Sequence, residues 1–287
     1  MLVNLKEILE IADRQFMAVG AFNCPHLEAL RATIAAAEEL NLPVVVQFAE
    51  MHESWTPIDY MAPIMVRAAS EAKVPVCVHL DHGETLEYIQ KALDLGFTSV
   101  MYDGSVLPFE ENIANTRKAV AMASVHGASV EAELGSMGKR ESGSGDDTGG
   151  DAPKVYTDPE QARQFVTETG ITALACSFGT THGLYKAAPQ LNFDIVREVR
   201  RLTDNVPVVM HGGSGVSAED YRKAVAAGIR KINYFTYMDK AGGTAMAGYL
   251  ESLKTEDPKF FTPITLAGLD AMKENVGAAM KVFALQG

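Results

Sequence analysis

The chain has 287 residues, of which 47% are apolar, and carries a formal net charge of −12 at pH 7. That length suits one α/β barrel with a sizeable core, and the acidic balance argues against nucleic acid or an anionic membrane as partner. The polar residues of Met1-Leu-Val-Asn-Leu-Lys-Glu exclude a signal peptide, and the absence of any long apolar run excludes a transmembrane helix.

Apolar, β-rich runs recur at residues 17–23, 43–49, 74–80, 97–103, 128–134, 171–177, 206–210 and 229–234. Most intervals carry helical spacing. After the third run, Leu86, Ile89, Ala92 and Leu93 form one face that Gly96 ends. Residues 135–157, after the fifth run, contain six glycines, several acids and almost no large apolar groups. A loop of that length reads as a mobile lid over the catalytic face, with a featureless insertion as the alternative. After the seventh run, Ser217 is an N-cap with Asp220 three residues on, and Gly228 closes the helix. Residues 237–287 are mostly helical in pattern, interrupted near Asp257-Pro258. Neither an interdomain linker nor an internal repeat is visible. Continuous apolar strands separated by helices predict a parallel sheet covered on both faces. Eight such units predict a single-domain (β/α)8 TIM barrel over residues 1–287, with a doubly wound open sheet as the alternative. Cys24, Cys77 and Cys176 lack metal-ligand spacing and read as thiols, Cys77 and Cys176 buried in strands, of a cytosolic (cytoplasmic) protein.

Barrel strands present their C-terminal ends to the active site. At those ends stand Asn23, Glu50, Asp81, His82, Asp103, Glu133, His182, His211 and Asn233. His82, His182 and His211 each follow an apolar run and each precede a glycine. Three imidazoles with an open position suit a catalytic zinc; the alternative for each is a hydrogen-bonded structural histidine. Glu133 is a fourth or alternate ligand, or a carboxylate capping a nearby amide. Asp81, one residue before His82, either exchanges a proton with metal-bound substrate or orients a ligand imidazole. Asp103 reads as support for a ligand or as a secondary metal contact. His79 reads as a core or supporting residue, and His26, His52 and His126 as surface residues.

The turn His211-Gly-Gly-Ser-Gly215 leaves a strand and enters a helix. Glycines there let backbone N–H groups approach a phosphate at the helix N-terminus. Lys186, four residues after His182, offers positive charge, and Asn233 and Thr236 lie at the neighbouring strand exit. Phosphate sites after strands seven and eight recur in this architecture.

These residues bring a family into view. The motifs His79-Leu-Asp-His-Gly83, Asp103-Gly-Ser105, Val130-Glu-Ala-Glu-Leu-Gly135, Tyr156-Thr-Asp-Pro159, Gly179-Thr-Thr-His-Gly-Leu-Tyr185 and His211-Gly-Gly-Ser-Gly215 resemble those of class II, zinc-dependent ketose-bisphosphate aldolases. That group includes the fructose-bisphosphate and tagatose-bisphosphate aldolases. The resemblance runs from Ala21-Phe-Asn23 to about Thr236. It implies zinc on His82, His182 and His211, with Glu133 near an alternate metal position, and Asp81 moving the proton of the C4 hydroxyl. It implies that Gly183, Lys186, Gly212, Gly213, Ser214, Asn233 and Thr236 hold the phosphate of a dihydroxyacetone phosphate half, and Asn23 joins the substrate-binding set. A sodium or potassium ion held by loop carbonyls near the phosphate is a further implication. So is a homodimer or homotetramer, for which 237–287 is the candidate contact surface. An acid on the lid is expected to handle the C3 proton, with Glu141, Asp146 and Asp147 as candidates.

Departures fall on the distal half of the substrate. Asn23-Cys-Pro-His26 replaces Asn-x-x-Asn, Ala49 stands where a serine is usual, and bulky Phe235 stands where a small or acidic residue is frequent. They point to an aldehyde half that is a different sugar or an acid. Two alternatives remain. Lys231 is the only strand-interior lysine for a Schiff base, and its flanks have surface spacing. A non-catalytic relative is the other.

Overall fold

The computed structural model describes residues 1–135, 156–183, 185 and 188–286. Its strands are β1 (Leu2–Val3), β2 (Val19–Asn23), β3 (Val44–Ala49), β4 (Val76–Gly83), β5 (Ser99–Tyr102), β6 (Ser129–Leu134), β7 (Ala173–Cys176), β8 (Val208–Met210) and β9 (Ile229–Tyr234). The helices are α1 (Leu5–Arg14), α2 (Leu27–Leu40), α3 (Ile58–Glu71), α4 (Leu86–Asp94), α5 (Phe109–Val125), α6 (Pro159–Thr169), α7 (Phe193–Leu202), α8 (Ala218–Ala227), α9 (Thr236–Ser252) and α10 (Phe261–Phe283). A 3-10 helix, Glu50–Ser54, follows β3.

The sheet order is β1-β4-β3-β2-β9-β8-β7-β6-β5, and a further β4–β5 pairing closes it. Every pairing is parallel. Strands β2 to β9 therefore form an eight-stranded (β/α)8 barrel. Seven of the eight apolar runs contain one of these strands; the third, 74–80, overlaps β4, which continues three residues further through Asp81, His82 and Gly83. Such strands are buried on both sides, by the barrel interior and by the helix layer, which is why their apolar character is nearly continuous. The two-residue β1 pairs with the first residues of β4, below the point where β5 joins at His79.

Helix α1 opens with a capping box between Asn4 and Glu7 and buries Leu5, Ile8, Leu9 and Ala12. It touches β2, β4, β6 and β9 together. It therefore covers the end of the barrel where the strands begin and leaves the other end for chemistry. Helix α8 has the expected Ser217 cap and Gly228 ending. The C-terminal segment is the expected broken helix, α9 and α10. On α10, Met272, Val276, Met280 and Phe283 are buried. Each such side chain contributes roughly 1.5–3 kcal/mol of burial free energy. No described helix is long and apolar enough to cross a membrane.

Candidate active site

The exit of β4 departs from regular strand geometry, and the departure is what builds the site. Neighbouring strand residues point to opposite faces, so Asp81 and His82 could not both face the barrel mouth from a plain strand. The register against β5 shifts between Leu80 and Gly83, and His82 adopts φ +45°, in the left-handed region. The bulge turns both side chains to the same side, leaving His82 Nε2 4.0 Å from Asp81 Oδ1. A left-handed non-glycine residue costs of order 1–3 kcal/mol and persists where surrounding structure enforces it.

His82, His182 and His211 converge, with one potential ligand atom of each within 4.8 Å of the others. His82 reaches in from β4, His182 from the turn after β7, and His211 from just past β8. All three are buried. The outer nitrogens of two rings are held by carboxylates: His82 Nδ1 donates to Asp103 at 2.8 Å, and His211 Nε2 donates to Glu131 at 2.8 Å. Asp103 is itself held by Ser105, through N–H at 3.1 Å and Oγ at 2.7 Å. The nitrogens left over, His82 Nε2 and His211 Nδ1, face each other at 3.0 Å. Two nitrogens each about 2.05 Å from a tetrahedral zinc stand roughly 3.3 Å apart. Neither ring nitrogen of His182 has a hydrogen-bond partner among the described residues. A buried imidazole without partners is costly. A cation drawn to three lone pairs accounts for all of these features, so the donor set fits zinc.

Burial pushes His182 down to about 3, aided by His82 and His211 beside it, which keeps the ring neutral as a ligand must be. For His82 burial is outweighed by Asp81, Asp103 and Glu133, and the ring without metal rises to about 9; the same carboxylates favour a metal cation, whose binding would displace that proton. Glu133 stands in a second cluster with His82 and Asp103, whose ligand atoms also lie within 4.8 Å of one another. Burial and the adjoining Asp103 push Glu133 well above the ordinary carboxylate range. Its Oε2 has no hydrogen-bond partner among the described residues.

Asp81 is clamped from both sides. One oxygen accepts from Asn23 Nδ2 at 2.9 Å and Gln47 Nε2 at 3.2 Å; the other accepts from Asn233 Nδ2 at 3.0 Å. Burial alone would raise its pKa, but His82, His211, Lys231 and the Asn23 bond together hold it below the usual range. Beneath this layer Lys231 Nζ lies 2.9 Å from Glu131 Oε2, both side chains fully buried, and donates to Asn233 Oδ1 at 2.8 Å. The surface reading of Lys231 is therefore wrong: within a strand of alternating faces it points into the barrel. His79 donates or accepts with Ser99 at 2.8 Å and lies 3.7 Å from Glu131, a supporting residue as expected.

The Gly212–Ser214 turn is locked in place. Gly212 has φ +60°, and a Cβ there would collide with the Thr181 carbonyl. Tyr185 Oη ties the turns after β7 and β8, accepting from Thr181 N–H at 2.9 Å and donating to Gly212 O at 2.8 Å. The Gly213 N–H is spent on the Asn233 carbonyl at 3.2 Å, so this amide joins two strand exits instead of facing solvent. Ser214 Oγ accepts from Phe235 N–H at 3.2 Å. Gly183 belongs to the segment after β7, and Thr236 begins α9. Lys186 and the lid candidates Glu141, Asp146 and Asp147 lie outside the described residues.

One further residue was misread. His52 is buried at 1% exposure and lines the same cleft as Asn23, Asp81, His82, His182 and Asn233. Gln47 and Glu131 are site residues that the sequence does not single out, and Lys231, considered there for a Schiff base, instead pairs with Glu131. Their signal was there: Glu131 and Glu133, or Lys231 and Asn233, are two apart in a strand and so share the inward face.

A parallel barrel with convergent imidazoles and an ionised carboxylate at its strand ends is the framework of a metal-dependent barrel lyase. Comparison with known proteins identifies the family: the model described as "Fructose-bisphosphate aldolase class-II" matches residues 3–287, and the chain belongs to that family. Its members are lyases of aldol cleavage acting on ketose bisphosphates, with zinc dependence as the norm. The fructose-bisphosphate aldolase of Staphylococcus aureus is 39% identical, over 98% of this chain and 97% of the relative. That of Geobacillus stearothermophilus is 39% identical over 100% and 98%. Among solved structures, the YdjI aldolase of Escherichia coli K12 superposes with TM-score 0.86 at 35% identity, covering 99% of this chain and 97% of that one.

Proposed function

We propose that this protein reversibly cleaves a ketose 1-phosphate or ketose bisphosphate into dihydroxyacetone phosphate and an aldehyde, with one zinc ion on His82, His182 and His211. The observation that carries the reading is the convergence of three buried imidazoles, two oriented by carboxylates and one with no hydrogen-bond partner among the described residues. When bound, the zinc supplies Lewis acidity to the negative charge that develops beside the substrate ketone. Glu133, paired with Asp103 around His82, is assigned an alternate metal position.

Asp81 accepts the C4 hydroxyl proton as the C3–C4 bond breaks; the bonding electrons pass to C3 and the ketone, and C4 becomes the aldehyde carbon. Its three amide donors, Asn23, Gln47 and Asn233, fix both oxygens and favour the ionised form that can take a proton. Gly183, Gly212, Ser214, Asn233 and Thr236 are assigned to the phosphate of the dihydroxyacetone phosphate half, close to the start of α8; Gly213, whose N–H is spent on the Asn233 carbonyl, is assigned there for the close approach that its missing side chain allows. Lys186 completes that set, and one of Glu141, Asp146 and Asp147 returns a proton to C3. A sodium or potassium ion beside the phosphate belongs to the same proposal.

Three buried, unpaired cysteines support a reducing, cytoplasmic location. Leu250, Phe260, Phe261 and Leu266, exposed on and between α9 and α10, support a homo-oligomer. The test is release of dihydroxyacetone phosphate from a panel of ketose 1-phosphates by native, EDTA-stripped and zinc-restored enzyme. Release that is lost on stripping and returns with zinc is expected. No release from any member, with zinc bound, would overturn the reading.

A further inference from the structure

Next to Asp81 the cleft is walled by aromatic rings, and we propose that this wall selects an aldehyde half that is hydroxylated and carries no terminal phosphate. The inference rests on the aldolase reading above and adds the chemical class of the second product.

The phosphate-binding turns follow β7, β8 and β9, whereas Asp81, which receives the C4 proton, stands on β4. Carbons beyond C4 must continue past Asp81 into the remainder of the cleft. That remainder is lined by Met51 and His52 from the 3-10 helix after β3 and by Phe235 after β9. The exits of β3 and β9 flank β2, so the two groups meet across Asn23.

The rings form one cluster. His52 stacks on Trp55 at 4.7 Å between centroids and 22° between planes. Phe235 lies 5.4 Å from His52 and 6.4 Å from Trp55, and Phe48 meets His52 edge-on at 5.8 Å. Trp55 remains 47% exposed, leaving ring surface for a ligand. His52 Nδ1 is buried and has no hydrogen-bond partner among the described residues. A buried polar atom in that state calls for a partner, and a substrate hydroxyl can provide one.

The chemistry of this wall discriminates by charge. Burial pushes the His52 imidazole down to about 4, against the pull of Asp81 and Asp239, so at neutral pH it is uncharged. Met51, His52 and Phe235 on the cleft, with Trp55 stacked on the His52 ring, thus offer apolar surface and one neutral imidazole. Carbon-bound hydrogens of a polyol pack well on such rings. A phosphate dianion brought against them loses water and gains no cation from the wall, which is a heavy penalty.

The test is aldol condensation by the zinc-loaded enzyme. Dihydroxyacetone phosphate is offered with glyceraldehyde, erythrose and threose, and separately with glyceraldehyde 3-phosphate. At least one neutral aldehyde is expected to exceed the phosphorylated one in kcat/KM by about tenfold or more. Preference for glyceraldehyde 3-phosphate over every neutral aldehyde would overturn the inference. Deuterium exchange at C3 of dihydroxyacetone phosphate, with no aldehyde present, separates the two levels. Exchange combined with preference for the phosphorylated aldehyde sinks the wall and spares the aldolase; no exchange sinks the aldolase reading itself. Trp55 is the only tryptophan, so its emission reports occupancy of the wall in the unmodified protein. The preferred neutral aldehyde is expected to change that emission, and an unchanged emission at saturation would count against the wall. Trp55→Ala is expected to raise the KM for the neutral aldehyde about tenfold relative to that for dihydroxyacetone phosphate. A ratio within twofold of the parent's would also overturn the assignment.

Discussion

Glu131 and Lys231 are paired at 2.9 Å with both side chains fully buried, and Glu131 also holds His211 Nε2 at 2.8 Å. Glu131→Gln keeps the shape but leaves a buried ammonium with no anion. Removing one partner of such a pair costs about 3–5 kcal/mol. In a chain of this size each kcal/mol moves the melting midpoint by roughly 2–4 °C, so the metal-free variant is expected to melt about 10 °C below the parent. The same change replaces the carboxylate behind His211 with an amide and weakens zinc binding by about 10–100-fold. Adding Lys231→Met removes the stranded charge; stability is expected to recover in part, while zinc affinity is not. Circular-dichroism melts of EDTA-treated protein and zinc competition against a chromophoric chelator read the two effects separately. Burial would raise the Glu131 pKa, but Lys231, His211 and His79 outweigh it and hold it at about 2. Against an ordinary value of about 4.3, its folded-state pKa is depressed. The stabilisation is therefore complete above about pH 4.3 and lost as pH falls through about 2. The parent's advantage over the double variant should shrink across that window. A single variant melting within about 2 °C of the parent, or a double variant less stable than the single one, would refute the buried pair as described.

Asp81→Asn retains the shape of the clamp but cannot take the C4 proton; kcat is expected to fall by about 10²–10⁴, with zinc content by elemental analysis unchanged. Loss of zinc as well would mean that Asp81 chiefly supports His82. Gly212→Ala meets both φ +60° and the Thr181 carbonyl; it is expected to lower stability by about 1–3 kcal/mol and raise the KM for phosphorylated substrate. An unchanged KM would argue against the phosphate turn. Burial pushes the Cys24 and Cys77 thiols up to about 12, so a thiol reagent at pH 8 should label them only in denaturant. Labelling of the native protein would show that the barrel opens.

Much of this architecture is legible in the sequence because buried parallel strands must be apolar throughout: the eight runs mark all eight barrel strands. Most runs are slightly wider than their strands, since flanking apolar residues such as Met17 and Phe97 are buried without joining a ladder, but the third stops three residues short of the end of β4, where polar Asp81 and His82 continue the strand. The strand β1 is too short to announce itself, and nothing in the spacing of α1 says that it covers one end of the barrel. The three histidines were legible because imidazole beside glycine is conspicuous after an apolar run. The bulge that turns Asp81 and His82 to one side was not, because it depends on register against β5. Glu131 and Gln47 are hidden inside strands, where only the two-residue period marks which face they share, and the same period turns Lys231 inward where its flanks suggest the surface. His52 looked like a surface residue because the 3-10 helix that tucks it under Trp55 and beside Phe235 has no strong local signature.

The most direct measurement is zinc titration of metal-free enzyme at micromolar chain concentration, following release of dihydroxyacetone phosphate from the best ketose 1-phosphate. Activity should rise linearly and break at one zinc per chain, and His182→Ala should abolish the break while remaining folded by circular dichroism. Full activity without zinc, or an undiminished break in the His182→Ala protein, would contradict a catalytic zinc held by the three strand-exit histidines.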